Sequence, residues 1–449
     1  MSERLRIIEK DNNIFIYNTV FGNLYKTDPK TLRFLQSFSK PKLADENKLV
    51  KELKRRMFLI EEGKDEYSIL KSGHKEFLRY IKTGKLLRKL QLMTTMGCNL
   101  NCRYCYENRT CTKTDSFEKS TMKFEVAKKA IDGFMDIVEK NKQPKVFVRY
   151  FGGEPLLNWP LIKKASEYIA DMNPKTKVVQ LINTNGTLMT DEIAAHLGKN
   201  KFEVDLSLDA PSAINDKTRT YKSGKGTFKD ILRAGELLLK YNVNTEVSAT
   251  LSDYNINLLK KFIDFVKEKG FDQLEVNTII YDDTKLCTAS IKERIIKLIE
   301  AKRYAEKMGV KLKGKWIKLY QRTKNGALNY CGRLGEQFSV TADGEVYPCS
   351  GLNIKLGTVD DLKSIFATKE YENIAMRIIG NIPGCLNCEI EGMCVGGCPG
   401  SANYLGSSGV YSPELNECEF RKAIIKAQIG DEFIGEDQSY QSMTKNYFS

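Results

Sequence analysis

Between about residue 87 and residue 310, two patterns of apolar residues alternate along the chain. Short apolar runs typical of β-strands are separated by stretches in which apolar residues return every three or four positions, as on one face of a helix. The strand-like runs are Leu90–Thr95, Val146–Phe151, Val178–Thr184, Glu203–Leu208, Thr245–Leu251 and Leu274–Ile280. The helical stretches lie near residues 121–140, 160–171, 190–198, 227–241, 256–269 and 290–308. This alternation predicts an α/β fold with a parallel sheet, and six such units make a partial barrel rather than a complete eight-unit one.

The first 62 residues follow a different pattern and predict a separate small module. Strand-like segments at residues 14–21 and 24–26 flank the turn residues Gly22 and Asn23. Asp28-Pro29 is a helix-start signal, and Asp45 can cap a second helix. Two strands and two or three helices in so short a segment resemble a winged-helix module.

The rest of the chain divides by composition. Residues 63–88 predict a helical linker, residues 89–310 the α/β core and residues 311–330 a bridging segment. Residues 331–430 are irregular and rich in Cys and Gly, and small segments of this kind usually need a metal to hold them together. Residues 431–449 form a polar tail.

Composition limits the cellular location and the binding partners that we expect for this protein. The 449 residues contain no apolar run of about 18, and the first residues lack the apolar stretch of a signal peptide. We therefore expect a cytoplasmic protein without a membrane partner, in which patterned cysteines bind metal rather than form disulfides. The net charge of +14 can attract nucleic acid, anionic membrane or acidic peptide, although solvated lysines on helix faces explain it more simply. With only two histidines, a His-based hydrolase or a His-rich zinc site is not expected.

One cysteine set follows the first predicted strand of the core. Cys98, Cys102 and Cys105 have the spacing Cys-x3-Cys-x2-Cys. Ligands of parallel α/β sheets bind at the carboxyl ends of strands, so a loop there can wrap three thiolates around one metal centre. Three cysteines without a nearby histidine would leave a structural zinc site incomplete. The set therefore predicts an iron–sulfur cluster with one iron that the protein does not ligate.

This motif, with Tyr104 before its last cysteine, closely resembles the signature of the radical S-adenosylmethionine (SAM) enzymes. The resemblance implies that the three thiolates hold a [4Fe–4S] cluster and that SAM chelates its fourth iron. It also implies that a 5′-deoxyadenosyl radical abstracts hydrogen from the substrate.

The same resemblance assigns SAM contacts near the ends of later strands. Gly152-Gly153-Glu154-Pro155 matches a family motif that contacts the SAM amine, although such a sequence also occurs in ordinary turns. Arg219 corresponds to an arginine that binds the SAM carboxylate, for which the guanidinium fork is well suited. Tyr104 is expected near the adenine, though it could equally serve packing. The implied SAM-binding residues are Tyr104, Gly152, Gly153, Glu154, Asn183, Ser207 and Arg219.

A second set of seven cysteines comprises Cys331, Cys349, Cys385, Cys388, Cys394, Cys398 and Cys418. Their spacing resembles that of the SPASM domain, which usually holds two auxiliary [4Fe–4S] clusters and would bring the total to three. By this resemblance one cluster has four ligands, Cys385, Cys388, Cys394 and Cys418. The other is left with three: Cys331, Cys349 and Cys398. Either Cys287 or Cys111 supplies its fourth ligand, or the site is open to a substrate thiolate; we favour unligated thiols for Cys287 and Cys111.

The whole layout resembles the radical SAM/SPASM enzymes that mature ribosomally made peptides, similar to the ranthipeptide and streptide-type maturases. In these enzymes an N-terminal winged-helix-like element binds the leader of a precursor peptide as an added strand. The resemblance implies an intramolecular crosslink, with a Cys thioether favoured and a carbon–carbon bond between Lys and Trp as the alternative. A flavodoxin or ferredoxin is the expected electron donor.

Two other interpretations remain open from the sequence. Sulfatase-maturing relatives carry an Asp directly after the cysteine equivalent to Cys349, where this chain has Ser350, so we place that reaction lower. A DNA-binding regulator with redox-sensing clusters would use the basic residues Lys51, Lys54, Arg55 and Arg56, but it would not need the SAM-binding residues.

Overall fold

The structure is a computed structural model. It describes residues 2–10, 13–36, 48–61, 63–105, 121–279, 286–322, 326–331, 335–404 and 409–432. Asp45, Cys111 and the tail from residue 433 onward lie outside these ranges.

Thirteen strands and fourteen α-helices make up the described part of the chain. The strands are β1 Leu5–Lys10, β2 Asn13–Asn18, β3 Leu24–Thr27, β4 Lys89–Thr95, β5 Lys145–Gly152, β6 Lys177–Thr184, β7 Glu203–Ser207, β8 Asn244–Leu251, β9 Gln273–Thr278, β10 Lys311–Lys313, β11 Gln337–Val340, β12 Glu345–Tyr347 and β13 Gly357–Thr358. The helices are α1 Pro29–Gln36, α2 Lys48–Arg55, α3 Glu66–Ile81, α4 Phe124–Lys140, α5 Trp159–Met172, α6 Asp191–Lys199, α7 Phe228–Lys240, α8 Leu259–Glu268, α9 Ile291–Met308, α10 Lys315–Gln321, α11 Lys369–Ala375, α12 Glu391–Cys394, α13 Pro399–Tyr404 and α14 Cys418–Glu432.

The central feature is an open sheet of ten strands in the order β10-β9-β8-β7-β6-β5-β4-β11-β12-β13. The six predicted strands are β4 to β9, and they run parallel as expected, which confirms the α/β fold with a partial barrel. Two additions were not predicted. The bridging segment contributes β10 beside β9, and the Cys-rich region contributes β11 beside β4, so both extend the same sheet. These strands are too short to show a periodicity in the sequence.

The alternation of side chains along each strand creates an outer and an inner face. In β5, Val146, Val148 and Tyr150 are fully buried in the main core. Phe151 and Arg149 point to the other face and line a cavity inside the curved sheet. The polar residues of the core strands therefore collect on the inside of the partial barrel.

The N-terminal module has three strands rather than the predicted two, because β1 pairs with β2 and β2 with β3. Thr31 N donates to Asp28 Oδ1 at 2.7 Å, which caps α1. The module docks on the C-terminal region: Gly392 N donates to Thr19 O at 2.7 Å. No helix in the described ranges has the length and apolar character needed to cross a membrane.

Candidate active site

The loop that carries the first cysteine set is fixed by backbone packing against the turn after β5. Gly153 N donates to Thr95 O and Glu154 N to Gly97 O, both at 2.9 Å. A Cβ at Gly153 would lie 2.2 Å from Gly97 O, and Gly152 has a φ of +137°. Only glycine allows this approach, so the Gly152-Gly153 pair determines where the cysteine loop sits relative to β5.

The thiols of this loop are half-buried and lie close together. Burial raises the pKa of Cys98 to about 11, and the charge of Cys105 adds to this. Burial likewise raises the pKa of Cys102 to about 12, with contributions from Cys105 and Cys98. A buried thiolate is costly without a nearby cation, and iron supplies one. The donor set therefore fits an iron–sulfur cluster.

Within the described ranges, no group of three or more His, Cys, Asp and Glu side chains is placed to hold a metal ion. Thiolates of a four-iron cluster bind different irons, so they need not converge on one point. The eleven described cysteines form no disulfide.

Arg219 lies beside Cys102 and is paired with a buried carboxylate, Asp209. Its Nη2 donates to Asp209 Oδ1 at 3.3 Å, and its Nε lies 3.0 Å from Oδ2. The same carboxylate accepts from Tyr104 Oη at 2.5 Å and from Thr218 Oγ1 at 2.9 Å. Burial lowers the pKa of Arg219, but Asp209, Tyr104 and Cys102 together outweigh it and raise the pKa, so the guanidinium stays charged. Sequence reasoning missed Asp209; the available signal was an acidic residue just beyond the end of a strand.

We expect Asp209→Asn to destabilise the protein and to weaken SAM binding. Removing one partner of a buried ion pair costs about 3 kcal/mol of unfolding free energy. A guanidinium that loses its orientation should also weaken SAM binding at least about tenfold, equivalent to roughly 1.4 kcal/mol. Chemical denaturation and equilibrium SAM binding to reconstituted protein measure the two effects.

Asp191→Asn is the matched control, because Asp191 forms an exposed pair with Lys240. An Asp209→Asn protein with unchanged SAM affinity would contradict the positioning role of Asp209.

The Glu154 carboxylate joins the ends of β5 and β6. It accepts from Leu156 N at 3.0 Å, from Thr184 Oγ1 at 2.7 Å and from Asn185 N at 2.7 Å. Asn185 in turn donates to Asn99 Oδ1 at 3.0 Å, inside the cysteine loop. Burial raises the pKa of Glu154, and these hydrogen bonds oppose that rise. Its carboxylate thus links the two strand ends.

Two buried polar atoms at this end of the sheet test whether the site fits SAM. Asn183 Oδ1 has no hydrogen-bond partner among the described residues, and Arg219 Nε lies 3.0 Å from Asp209 Oδ2 without the geometry of a hydrogen bond. Ser207, at the end of β7, is half-buried and pairs in register with Ser248. Buried donors and acceptors normally find partners, and the carboxylate, amine and hydroxyl groups of SAM are suitable ones.

Farther into the partial barrel lies a cavity of about 440 Å³, which we call the lumen cavity. Charged side chains of both signs line it. Asp205 accepts from Asn183 Nδ2 at 2.7 Å and pairs with Arg149 at 3.5 Å, and Lys313 contacts Glu246. Burial raises the pKa of Asp205 and of Glu246. Its size and polarity suit a peptide side chain.

Four cysteines of the second set lie together. Burial raises the pKa of Cys385 to about 12, and the charges of Cys394, Cys388 and Cys418 add to the rise. These are the four residues assigned to the closed auxiliary cluster.

The other three line a second cavity of about 350 Å³, which we call the three-cysteine cavity. Cys331, Cys349 and Cys398 all face it. It shares Arg149, Leu181, Lys315 and Lys318 with the lumen cavity. Because these walls are common to both, the three cysteines lie next to the interior of the barrel.

Arg377 holds the loops between the two cysteine groups, and sequence reasoning missed it. It is fully buried and donates to the carbonyls of five residues: Val395, Gly396, Gly397, Val410 and Ser412. Burial lowers the pKa of this guanidinium, and nearby thiols, including Cys331 and Cys385, oppose that shift. A buried cation here fits clusters that carry negative charge. A lone arginine within the apolar run 374–379 was the available signal.

Cys287 does not line the three-cysteine cavity. It packs near Tyr104, Ile279 and Leu286, in a cluster that also includes Cys102. Cys287 therefore lies nearer to the loop that carries Cys98, Cys102 and Cys105 than to the three cysteines of the incomplete auxiliary set. Cys111 lies outside the described residues.

Two regions of the chain, one around each cysteine set, match known protein families. Residues 92–266 match the Radical SAM superfamily, and residues 331–389 match SPASM, an iron–sulfur cluster-binding domain. The chain is 26% identical to the radical SAM cyclopropyl synthase TigE of Paramaledivibacter caminithermalis, over 96% of this chain and 95% of that protein. It is 27% identical to a cysteine-type anaerobic sulfatase-maturating enzyme of Clostridium perfringens, over 67% of this chain and 86% of that enzyme.

Streptococcus suis SuiB, solved bound to precursor peptide SuiA, has a similar fold. The TM-score is 0.59 at 14% identity, over 93% of this chain and 99% of SuiB. The two matched domains support binding of SAM and iron–sulfur clusters, and they favour an enzyme over a DNA-binding regulator. The chain is therefore an enzyme that contains a Radical SAM superfamily domain followed by a SPASM domain.

Proposed function

We propose that this enzyme installs an intramolecular crosslink in a ribosomally made precursor peptide, and that the bond is a thioether from a peptide cysteine. The observation that best supports a thioether is the three-cysteine cavity. Three thiols leave one position of a four-iron cluster for another ligand, and thiolates bind iron strongly. The shared walls with the lumen cavity would let one peptide reach both places.

In this proposal Cys98, Cys102 and Cys105 hold the SAM cluster. Cys385, Cys388, Cys394 and Cys418 hold the closed auxiliary cluster, and Cys331, Cys349 and Cys398 hold the open one, giving three [4Fe–4S] clusters. Bound SAM would supply a radical that removes a hydrogen atom from the peptide. The chain itself positions the SAM carboxylate with Arg219, encloses the reacting side chain in the lumen and excludes water. A flavodoxin or ferredoxin would supply the electron.

The N-terminal module supports a peptide substrate. Its sheet has β1 and β3 at the edges, and a leader peptide could add there as a further strand. SuiB, which shares the fold, was solved with a precursor peptide, and the sulfatase-maturating relative acts on a protein. Ser350 follows Cys349 here, so we keep sulfatase maturation below peptide crosslinking.

The second candidate is a carbon–carbon bond, either between two side chains, as in a Lys–Trp crosslink, or within a cyclopropane. The likeness to a cyclopropyl synthase over nearly the whole chain favours it.

The test combines anaerobically reconstituted enzyme, SAM, reductant and the short peptides encoded next to its gene. We expect a product that has lost two hydrogens and whose cysteine no longer reacts with iodoacetamide. A product that has lost two hydrogens but keeps a reactive thiol, or one formed from a Cys→Ala peptide, identifies the carbon–carbon reaction. If SAM is cleaved but none of these peptides loses hydrogen, the crosslinking proposal is wrong.

A further inference from the structure

The three-cysteine cavity is strongly cationic. Its charged lining residues are Lys89, Arg149, Lys315, Lys318 and Arg322, and no Asp or Glu is among the described residues that line it. The lumen cavity differs, because four carboxylates line it together with its cations: Glu203, Asp205, Glu246 and Glu275. Charge is therefore balanced in the lumen and unbalanced beside the cysteines.

Three of the five cations have other partners. Arg149 pairs with Asp205, and Arg322 donates to the carbonyls of Met393 and Tyr330. Lys89 lies near Glu336. Burial raises the pKa of Glu336, and the charge of Lys89 opposes this rise. These three side chains are thus engaged by the protein itself.

Lys315 and Lys318 differ from them. They are three residues apart on α10, so their side chains share one face of the helix. Lys315 is half-buried and lies close enough to Cys398 to oppose the rise in its pKa that burial causes. Lys318 is exposed at the edge of both cavities. Neither ammonium group forms an ion pair with a carboxylate of the described residues.

Two ammonium groups without a carboxylate partner, on the wall of a cationic cavity, attract an anion more strongly than either group alone. A side-chain carboxylate can accept from both at once. We propose that Lys315 and Lys318 make the three-cysteine cavity a specificity pocket for an acidic side chain, Asp or Glu, of the peptide substrate. This inference rests on the proposed peptide substrate, and it holds for either type of crosslink. The alternative is that the two lysines only balance the charge of a cluster.

The test is a binding measurement on full-length reconstituted enzyme without reductant, so that no turnover occurs. Two fluorescein-labelled peptides with one cysteine each are compared by anisotropy, one with Asp and Glu flanking the cysteine and one with Asn and Gln. We expect the acidic peptide to bind at least about tenfold more tightly at low salt, with a smaller difference at high salt.

The double substitution Lys315→Gln/Lys318→Gln should remove this preference for the acidic peptide. The single substitution Lys318→Gln, at an exposed residue, should reduce the preference. Lys311→Gln is the matched control, since Lys311 is exposed on β10 and lines neither cavity. Equal binding of the two peptides, no binding of either, or a preference that survives the double substitution overturns the proposal. If the double variant keeps the preference for the acidic peptide and only the reduction potential of a cluster changes, the proposal is also wrong, and the two lysines balance the charge of the cluster instead. None of these outcomes depends on whether a crosslink forms, so the peptide-maturation proposal is tested separately.

Discussion

Cys98→Ala should abolish the formation of 5′-deoxyadenosine from SAM. The cysteine loop offers three thiolates, and the backbone contact between Gly153 and Gly97 leaves the loop little freedom to recruit another ligand. Without Cys98 only two thiolates remain for the cluster. We expect the iron content of reconstituted protein to fall from about 12 to about 8 atoms, and SAM cleavage to fall by at least about 10³-fold.

The matched control is Cys287→Ala, which removes a cysteine that packs near the same loop but stands outside the motif. It should keep both the iron and the SAM cleavage. Iron analysis and chromatography of 5′-deoxyadenosine provide the measurements. Substantial cleavage by the Cys98→Ala protein would show that the first cysteine set is not the SAM site, whatever the peptide substrate is.

Cys349→Ala should separate SAM cleavage from peptide modification. Cys349 lines the cavity next to the lumen, together with Cys331 and Cys398, and it lies outside the SAM-cluster loop. Its loss should leave 5′-deoxyadenosine formation within a fewfold of the parent. The crosslinked peptide should fall at least about 100-fold, a change of roughly 2.7 kcal/mol in the barrier.

The measurement is the ratio of crosslinked peptide to 5′-deoxyadenosine, followed by mass spectrometry and chromatography in the same reaction. Cys287→Ala again serves as the control and should keep the parent ratio. If the Cys349→Ala protein makes the crosslink at the parent ratio, the substrate sulfur does not bind in the three-cysteine cavity. If 5′-deoxyadenosine and the crosslinked peptide disappear together, the auxiliary site is needed for SAM cleavage itself. The proposed separation between SAM cleavage at one cluster and peptide modification at the other is then wrong.

The core of the fold could be read from the sequence because its elements are long and periodic. The strands β4 to β9 and the helices between them match the predicted segments with shifted ends. The strands β1, β10 and β13 were missed, because pairing with a neighbouring strand, rather than a pattern of their own, stabilises them.

The sequence by itself predicted which cysteines hold the clusters, because thiolate spacing within one loop is a local property that the chain alone fixes. It identified Cys98, Cys102 and Cys105 as a set, and it divided the other seven cysteines into four and three by resemblance. The tertiary structure decided what lies next to each set. Asp209 meets Arg219 and Tyr104 only because the ends of different strands come together at one edge of the sheet. Lys315 and Lys318 face Cys331, Cys349 and Cys398 only because α10 follows β10 at one edge of the sheet while the Cys-rich region extends the other edge. Contacts between residues so far apart in the chain depend on how the elements pack, and no local pattern encodes them.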